Sequence, residues 1–93
     1  MKIIDYENTF KALSDEKRLS ILAFLNKNGH TCVCNLSEVF ELSQSKLSYH
    51  LKLLLNANLI SKTSEGKWNF YDVNTEQLNK ILSEQVIQDL FTK

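Results

Sequence analysis

The sequence predicts a mainly α chain with one small β-hairpin, in the order α-α-α-α-β-β-α, and three observations carry that expectation. Apolar residues recur at helical spacing before residue 59, most clearly Leu47, Leu51, Leu54 and Leu55 at i, i+4, i+7 and i+8. The period then shortens to that of strands in LISKT and WNFYDV, which flank a Ser64-Glu65-Gly66-Lys67 turn. Two short helical patterns also meet at Glu41-Leu42-Ser43, a tight corner that places consecutive helices against each other. Helix, corner, helix and adjacent hairpin together make a winged helix-turn-helix, expected as one DNA-binding domain over residues 1–93 and expected to be dimeric.

Each element has its own signals. Ile3, Tyr6, Phe10 and Leu13 give a first helix whose apolar stripe needs a partner. Asp15 reads as the N-cap of a second helix carrying Leu19, Leu22, Ala23 and Leu25, which ends at Asn28-Gly29, where glycine accepts a left-handed conformation. Leu36, Val39 and Phe40 mark a short third helix. Ser43 is placed to cap the fourth, which runs to about residues 56–58 and has Ser45, Ser48, Tyr49 and Lys52 opposite its leucines. Gly66 supplies the positive φ that a tight hairpin requires. Asn74-Thr75-Glu76-Gln77 resembles a capping box, and Leu78, Ile81, Leu82, Val86, Leu90 and Phe91 continue as one last helix. The stripes of Phe10, Leu13, Ile81 and Leu82 lack partners within one copy. A homodimer held by the first and last helices buries them, and a core this small gains from it.

Composition narrows the function. Hydrophobic content of 43% with 24% charged residues is that of a globular chain, and no apolar run approaches the roughly 20 residues that cross a bilayer. The start, MKIIDYENTF, is polar and acidic too early for a secretory signal, so the expected location is the cytoplasm. A net charge of zero argues against a nonspecific nucleic-acid coat. Residues 43–68 nevertheless hold Lys46, Lys52, Lys62 and Lys67 against Glu65 alone, a local excess of three positive charges on the fourth helix and the hairpin. Read blandly, four such lysines are simply solvated.

Several stretches in order, LSDEKRLSILAFL, CVCNL, LSQSKLSYHLKLL and GKWNFY, resemble the ArsR/SmtB metalloregulatory repressors over about residues 10–73. The resemblance implies a dimeric winged-helix repressor that holds an operator until a metal ion or metalloid binds. Cys32-Val33-Cys34 is similar to the arsenite- and soft-metal-sensing motif at the start of the third helix in the arsenic-responsive branch. Some arsenic sensors carry a further cysteine where this chain has Ser37. The thiolates that cadmium and lead sensors draw from an N-terminal extension have no counterpart in residues 1–31, and the histidine of the zinc-sensing branch has none in residues 74–93. The two-thiol site is the one family sensing site with residues in place.

Thiolates are soft donors that suit arsenite, antimonite, cadmium, lead or copper(I), with no cofactor needed for DNA binding itself. A reducing cytoplasm is expected to keep Cys32 and Cys34 as thiols, without a structural disulfide. In a regular helix, residues i and i+2 point about 200° apart, so one ion bound by both requires irregular backbone. Ligand binding is therefore expected to deform the helix start, which supplies a switch. Helix N-terminal amides also favour the thiolate. The competing reading is two buried, inert cysteines. A zinc site is poorly served, since only His30 lies nearby in sequence and reads as a solvated loop residue.

By resemblance, Gln44, Ser45, Ser48 and Tyr49 occupy the DNA-contacting positions of the reading helix. Glutamine can pair with the N6 and N7 of adenine, and hydroxyls serve bases or phosphates. Lys46 and Lys52, with Lys62 and Lys67 from the wing, are candidates for phosphate contacts. The serines are otherwise ordinary polar helix surface, and Tyr49 partial packing. His50 borders the apolar face and reads as a hydrogen-bonded structural histidine. The leading function is a repressor of operator DNA released by arsenite or a related soft ion at Cys32 and Cys34. The alternative is a thiol redox or persulfide sensor of the same fold. A thiol oxidoreductase fits poorly, because the spacing is Cys-X-Cys and no βαβ pattern surrounds it. A winged helix devoted to protein contacts predicts no duplex binding.

Overall fold

The computed structural model describes residues 2–91. Its elements are α1 (Ile3–Leu13), α2 (Glu16–Asn28), β1 (Thr31–Cys32), α3 (Val33–Phe40), α4 (Gln44–Asn56), β2 (Ile60–Glu65), β3 (Trp68–Val73), α5 (Thr75–Ile81) and α6 (Glu84–Phe91). The winged helix-turn-helix is present, with two departures from the expected order. A two-residue strand precedes α3, and the last helix is divided. Leu82 is extended (φ −115°, ψ 145°) and ends α5. Ser83 Oγ then accepts the Val86 N–H at 3.2 Å, so a serine inside an apolar pattern caps a new helix.

Local chemistry explains the other boundaries. Asp15 accepts the Arg18 N–H at 3.1 Å at the start of α2, and Ser43 accepts the Lys46 N–H at 3.3 Å at the start of α4. Asn74 accepts the Gln77 N–H at 3.2 Å before α5. Helices α3 and α4 end in the same way. The Leu42 N–H donates to the Ser37 carbonyl and the Glu41 N–H to that of Glu38, while Leu59 and Asn58 donate to Leu54 and Leu55. These are Schellman closures, with Glu41 (φ 51°) and Asn58 (φ 61°) in the left-handed region that glycine more often fills.

The core forms where the leucine stripes meet. Ile21, Leu22 and Leu25 of α2, Leu36 of α3 and Leu47, Leu51 and Leu54 of α4 are fully buried with Leu59, Ile60 and Leu78. Each such side chain contributes about 1.5–3 kcal/mol relative to exposure. Helix α1 buries Thr9 and Ala12, rests Leu13 partly on the core, and packs on α4 and α2; Leu13 and Leu82 thus have partners within one copy, contrary to expectation. Its other large residues point away: Ile3 is 89% exposed and Phe10 57%, with Tyr6 beside Phe10.

The sheet runs β1-β3-β2, antiparallel throughout. Thr31 and Cys32 pair with Tyr71 and Phe70, and the hairpin closes at Glu65 opposite Trp68 around Gly66 (φ 65°). Among the described residues no helix is long and apolar enough to cross a membrane.

Candidate functional site

Two candidate surfaces lie side by side. The first is the cysteine pair. Cys32 is extended (φ −67°, ψ 142°), the last residue of β1 and the N-cap of α3, and its Sγ accepts the Cys34 N–H at 3.3 Å. Because Cys32 stands outside the helix, the angular separation of two helical residues does not apply. The two sulfurs meet and are joined as a disulfide, contrary to the expectation of separate thiols. The irregular backbone that lets both sulfurs reach one point is already present, because Cys32 precedes the helix. The pair accordingly fits a soft ion taken by both sulfurs once reduced. Among the described residues no group of three or more His, Cys, Asp or Glu gathers as a metal site.

Cys34 opens on a cleft of about 310 Å³ lined by Val33, Cys34, Ser37, Gln44, Leu47 and Trp68. The cleft is bounded by α3, by the first turns of α4 and by the wing. Ser37, which stands where some sensors have a third cysteine, donates its hydroxyl to the Leu42 carbonyl at 2.9 Å.

The second surface is the outer face of α4. Gln44, Ser45, Lys46, Ser48, Tyr49 and Lys52 are all exposed, Tyr49 at 59%, while Leu47, Leu51 and Leu54 face the core. Leucines that fix the helix from behind leave these polar side chains in the solvent in front. Lys62 is exposed on β2 opposite Tyr71, and Lys67 sits in the hairpin turn with Nζ 6.0 Å from the Trp68 ring centre. Ser45, Ser48, Tyr49 and Lys52 share the face opposite the leucines, while Gln44 and Lys46 flank it in the first turn. Lys62 and Lys67 belong to a separate element, joined to it through the cleft at Trp68 and Gln44.

Two polar centres escaped the sequence reading. His30 is no free loop residue: Nδ1 lies 2.7 Å from Asp72, Nε2 lies 2.7 Å from Glu65, and the ring stacks on Phe70 at 4.6 Å. Its pKa is raised by Asp72 first and Glu65 second. Glu65, the one acid among residues 43–68, is thereby paired within the protein. Arg18 is buried and donates to the carbonyls of Ala12 and Lys11 and to His50 Nδ1. As expected, His50 is hydrogen-bonded.

An exposed polar helix fixed by a leucine core, with a hairpin that carries Lys62 and Lys67 beside it, defines a winged helix-turn-helix DNA-binding regulator. Residues 15–62 match the bacterial regulatory protein arsR family. Over 81 residues the chain is 58% identical to the arsenical resistance operon repressor of Bacillus subtilis (strain 168), covering 87% of this chain and 77% of that one. Reduced HlyU from Vibrio cholerae N16961 superposes with a TM-score of 0.75 at 33% identity, covering 97% of this chain and 92% of that chain. The homodimeric winged helix-turn-helix domain Mb0332 from Mycobacterium bovis, a possible ArsR-family regulator, gives a TM-score of 0.79 at 23% identity over 94% of this chain and 81% of that chain. The chain belongs to the arsR family, and its relatives are transcriptional regulators rather than enzymes.

Proposed function

We propose that the chain is a single DNA-binding unit that acts as a homodimeric repressor, and that it leaves its operator when reduced Cys32 and Cys34 take up arsenite or a related soft metal(loid) ion. One observation carries this reading: an extended N-cap residue brings both sulfurs to one point, and Cys34 lines a cleft with Gln44 of the reading helix and Trp68 of the wing. Soft sulfur donors select the ligand class. The shared cleft gives a short route from ligand to DNA, because a group held at Cys34 abuts the two elements that would grip the duplex. Gln44, Ser45, Ser48 and Tyr49 would read bases or phosphates, and Lys46, Lys52, Lys62 and Lys67 would hold phosphates. The unpaired stripe of α1 supports assembly as a dimer, as does the homodimeric state of the Mycobacterium bovis relative. The 58% identity to a repressor of an arsenical resistance operon supports the choice of inducer.

A second reading rests on the joined sulfurs: oxidation of the pair, without any metalloid, releases the operator. Titrating the reduced protein–operator complex with arsenite and, separately, with peroxide separates the two. Release by arsenite under reducing conditions supports the first reading. Release by peroxide alone supports the second.

A further inference from the structure

Arg18 is the one charged side chain among the described residues that the fold buries, at 8% exposure. A buried guanidinium needs hydrogen-bond partners, and each of its three nitrogens has one, from two directions. Nε donates to the Ala12 carbonyl at 2.8 Å and Nη2 to the Lys11 carbonyl at 3.1 Å, both in the last turn of α1, where the Lys11 carbonyl also accepts the Ser14 N–H. Nη1 lies 3.0 Å from His50 Nδ1 on α4. Guanidinium has no acceptor atom, so His50 Nδ1 accepts, the ring is neutral, and its proton sits on Nε2. A single side chain of α2 therefore joins the end of α1 to the helix that carries Tyr49, whose ring meets that of His50 edge-on at 5.6 Å.

We propose that Arg18 and His50 are positioning residues for DNA recognition: they fix α4 to the α1–α2 frame, and a proton on His50 Nδ1 undoes the joint, so that DNA binding weakens in acid. This rests on the DNA-reading role of α4. The groups facing His50 are Asp15, Lys17 and Arg18 from α2 and Tyr49 from its own helix, while α1 reaches it through the carbonyls that Arg18 holds. A protonated Nδ1 would point a donor at a donor and a cation at a cation. The acceptor left to it is Asp15 Oδ2, 3.9 Å away, which already accepts the Arg18 N–H as the cap of α2. Turning to Asp15 therefore gives up Arg18 and competes for the cap.

Burial lowers the His50 pKa; Asp15 opposes this, and Arg18 and Lys17 add to it. With the folded value below the ordinary value of about 6.5, the joint is whole above that value and is lost as pH falls through the folded pKa.

The test uses a duplex selected from a randomised pool by the parent protein at about pH 8, where an ordinary histidine is neutral. Affinity is then followed down to about pH 5 for the parent, His50→Gln, His30→Gln and Arg18→Lys, the lower limit lying below the ordinary histidine value. The parent should lose affinity by up to about tenfold per pH unit per protomer below the His50 pKa, the limit for one linked proton. His50→Gln carries its amide one bond further out than Nδ1 and takes no proton, so the pH step should be absent from its binding. The chain has two histidines, and His30→Gln should keep the step. Arg18→Lys cannot serve two carbonyls and an imidazole together and should bind more weakly at every pH. If that variant fails to fold, the nitrogen-15 shifts of the parent His50 ring decide the geometry: Nε2–H is expected, and Nδ1–H at the upper pH overturns the proposal. A flat parental profile, or the same step in His50→Gln, overturns it as well. A parent that selects no duplex overturns the DNA-binding reading and this inference with it.

Discussion

Cys32 and Cys34 belong to different elements: Cys32 closes β1 opposite Phe70, Cys34 lies in the first turn of α3, and the Cys34 N–H donates to Cys32 Sγ across 3.3 Å. That hydrogen bond aims a first-turn amide of α3 at the sulfur.

Cys32→Ser and Cys34→Ser should therefore separate two functions. Neither side chain lies on the exposed face of α4, so both variants should fold and bind operator with parental affinity. Release by arsenite should be lost in each, because one sulfur cannot replace two. For a hundredfold preference of ligand for free protein, the lost coupling is about 2.7 kcal/mol. Operator affinity with and without arsenite measures it. Parental release in both variants would remove the pair as the sensor.

Lys46→Ala and Lys67→Ala should weaken binding to every duplex alike. A phosphate contact releases counterions whatever the sequence, so each removal should flatten the logarithmic salt dependence by about 0.9 per protomer. Unchanged slopes in both variants would turn the basic segment away from DNA. Lys67 tests the wing separately from the helix.

Phe10→Asp should shift the chain toward monomer, since a ring 57% exposed beside Tyr6 is apolar surface available for a second copy. Sedimentation across a dilution series reads the change. Helicity should survive, because the face of α1 that packs internally is Thr9, Ala12 and Leu13. A parent that sediments as a monomer at every concentration would falsify the dimer.

Asp15→Ala should cost about 1 kcal/mol of stability, the usual loss for an N-cap carboxylate. The Asp15 pKa is lowered, chiefly by the hydrogen bond from the Arg18 N–H, while burial opposes and the charges of Arg18 and His50 assist. The sign follows: its stabilisation is complete above the ordinary aspartate pKa and is lost as pH falls through the lower folded value. Urea midpoints of parent and variant should differ at neutral pH and converge in strong acid.

The leucine stripes of α2 and α4 and the caps Asp15 and Ser43 were legible in sequence because they express local periodicity and short-range hydrogen bonds. What escaped depends on distant partners. β1 is a strand only because Thr31 and Cys32 meet Tyr71 and Phe70, and two residues carry no period of their own. Without that strand the cysteine geometry comes out wrong, since a helix through both residues sets their side chains apart. His30 has its partners at Glu65 and Asp72 on the wing, invisible from its own neighbours. Arg18 stands in DEKRLS, a run that reads as surface charge, and only its spacing from Leu22 and Leu25 on the same helix hinted that it faced inward. The exposed face of α4 was legible by subtraction, as the side its leucines left over.

Strand β2 pairs on one side only, so its other edge presents unpaired backbone along Ile60–Glu65. Such an edge is a template on which another chain can add a strand. Here every residue after Ile60 is exposed, and the run Ser-Lys-Thr-Ser-Glu alternates hydroxyls with opposite charges and holds no large apolar side chain. Two copies brought edge to edge would desolvate those groups and gain little apolar contact in return. The wing can therefore stay thin and open beside α4 while resisting the growth of continuous sheet between molecules.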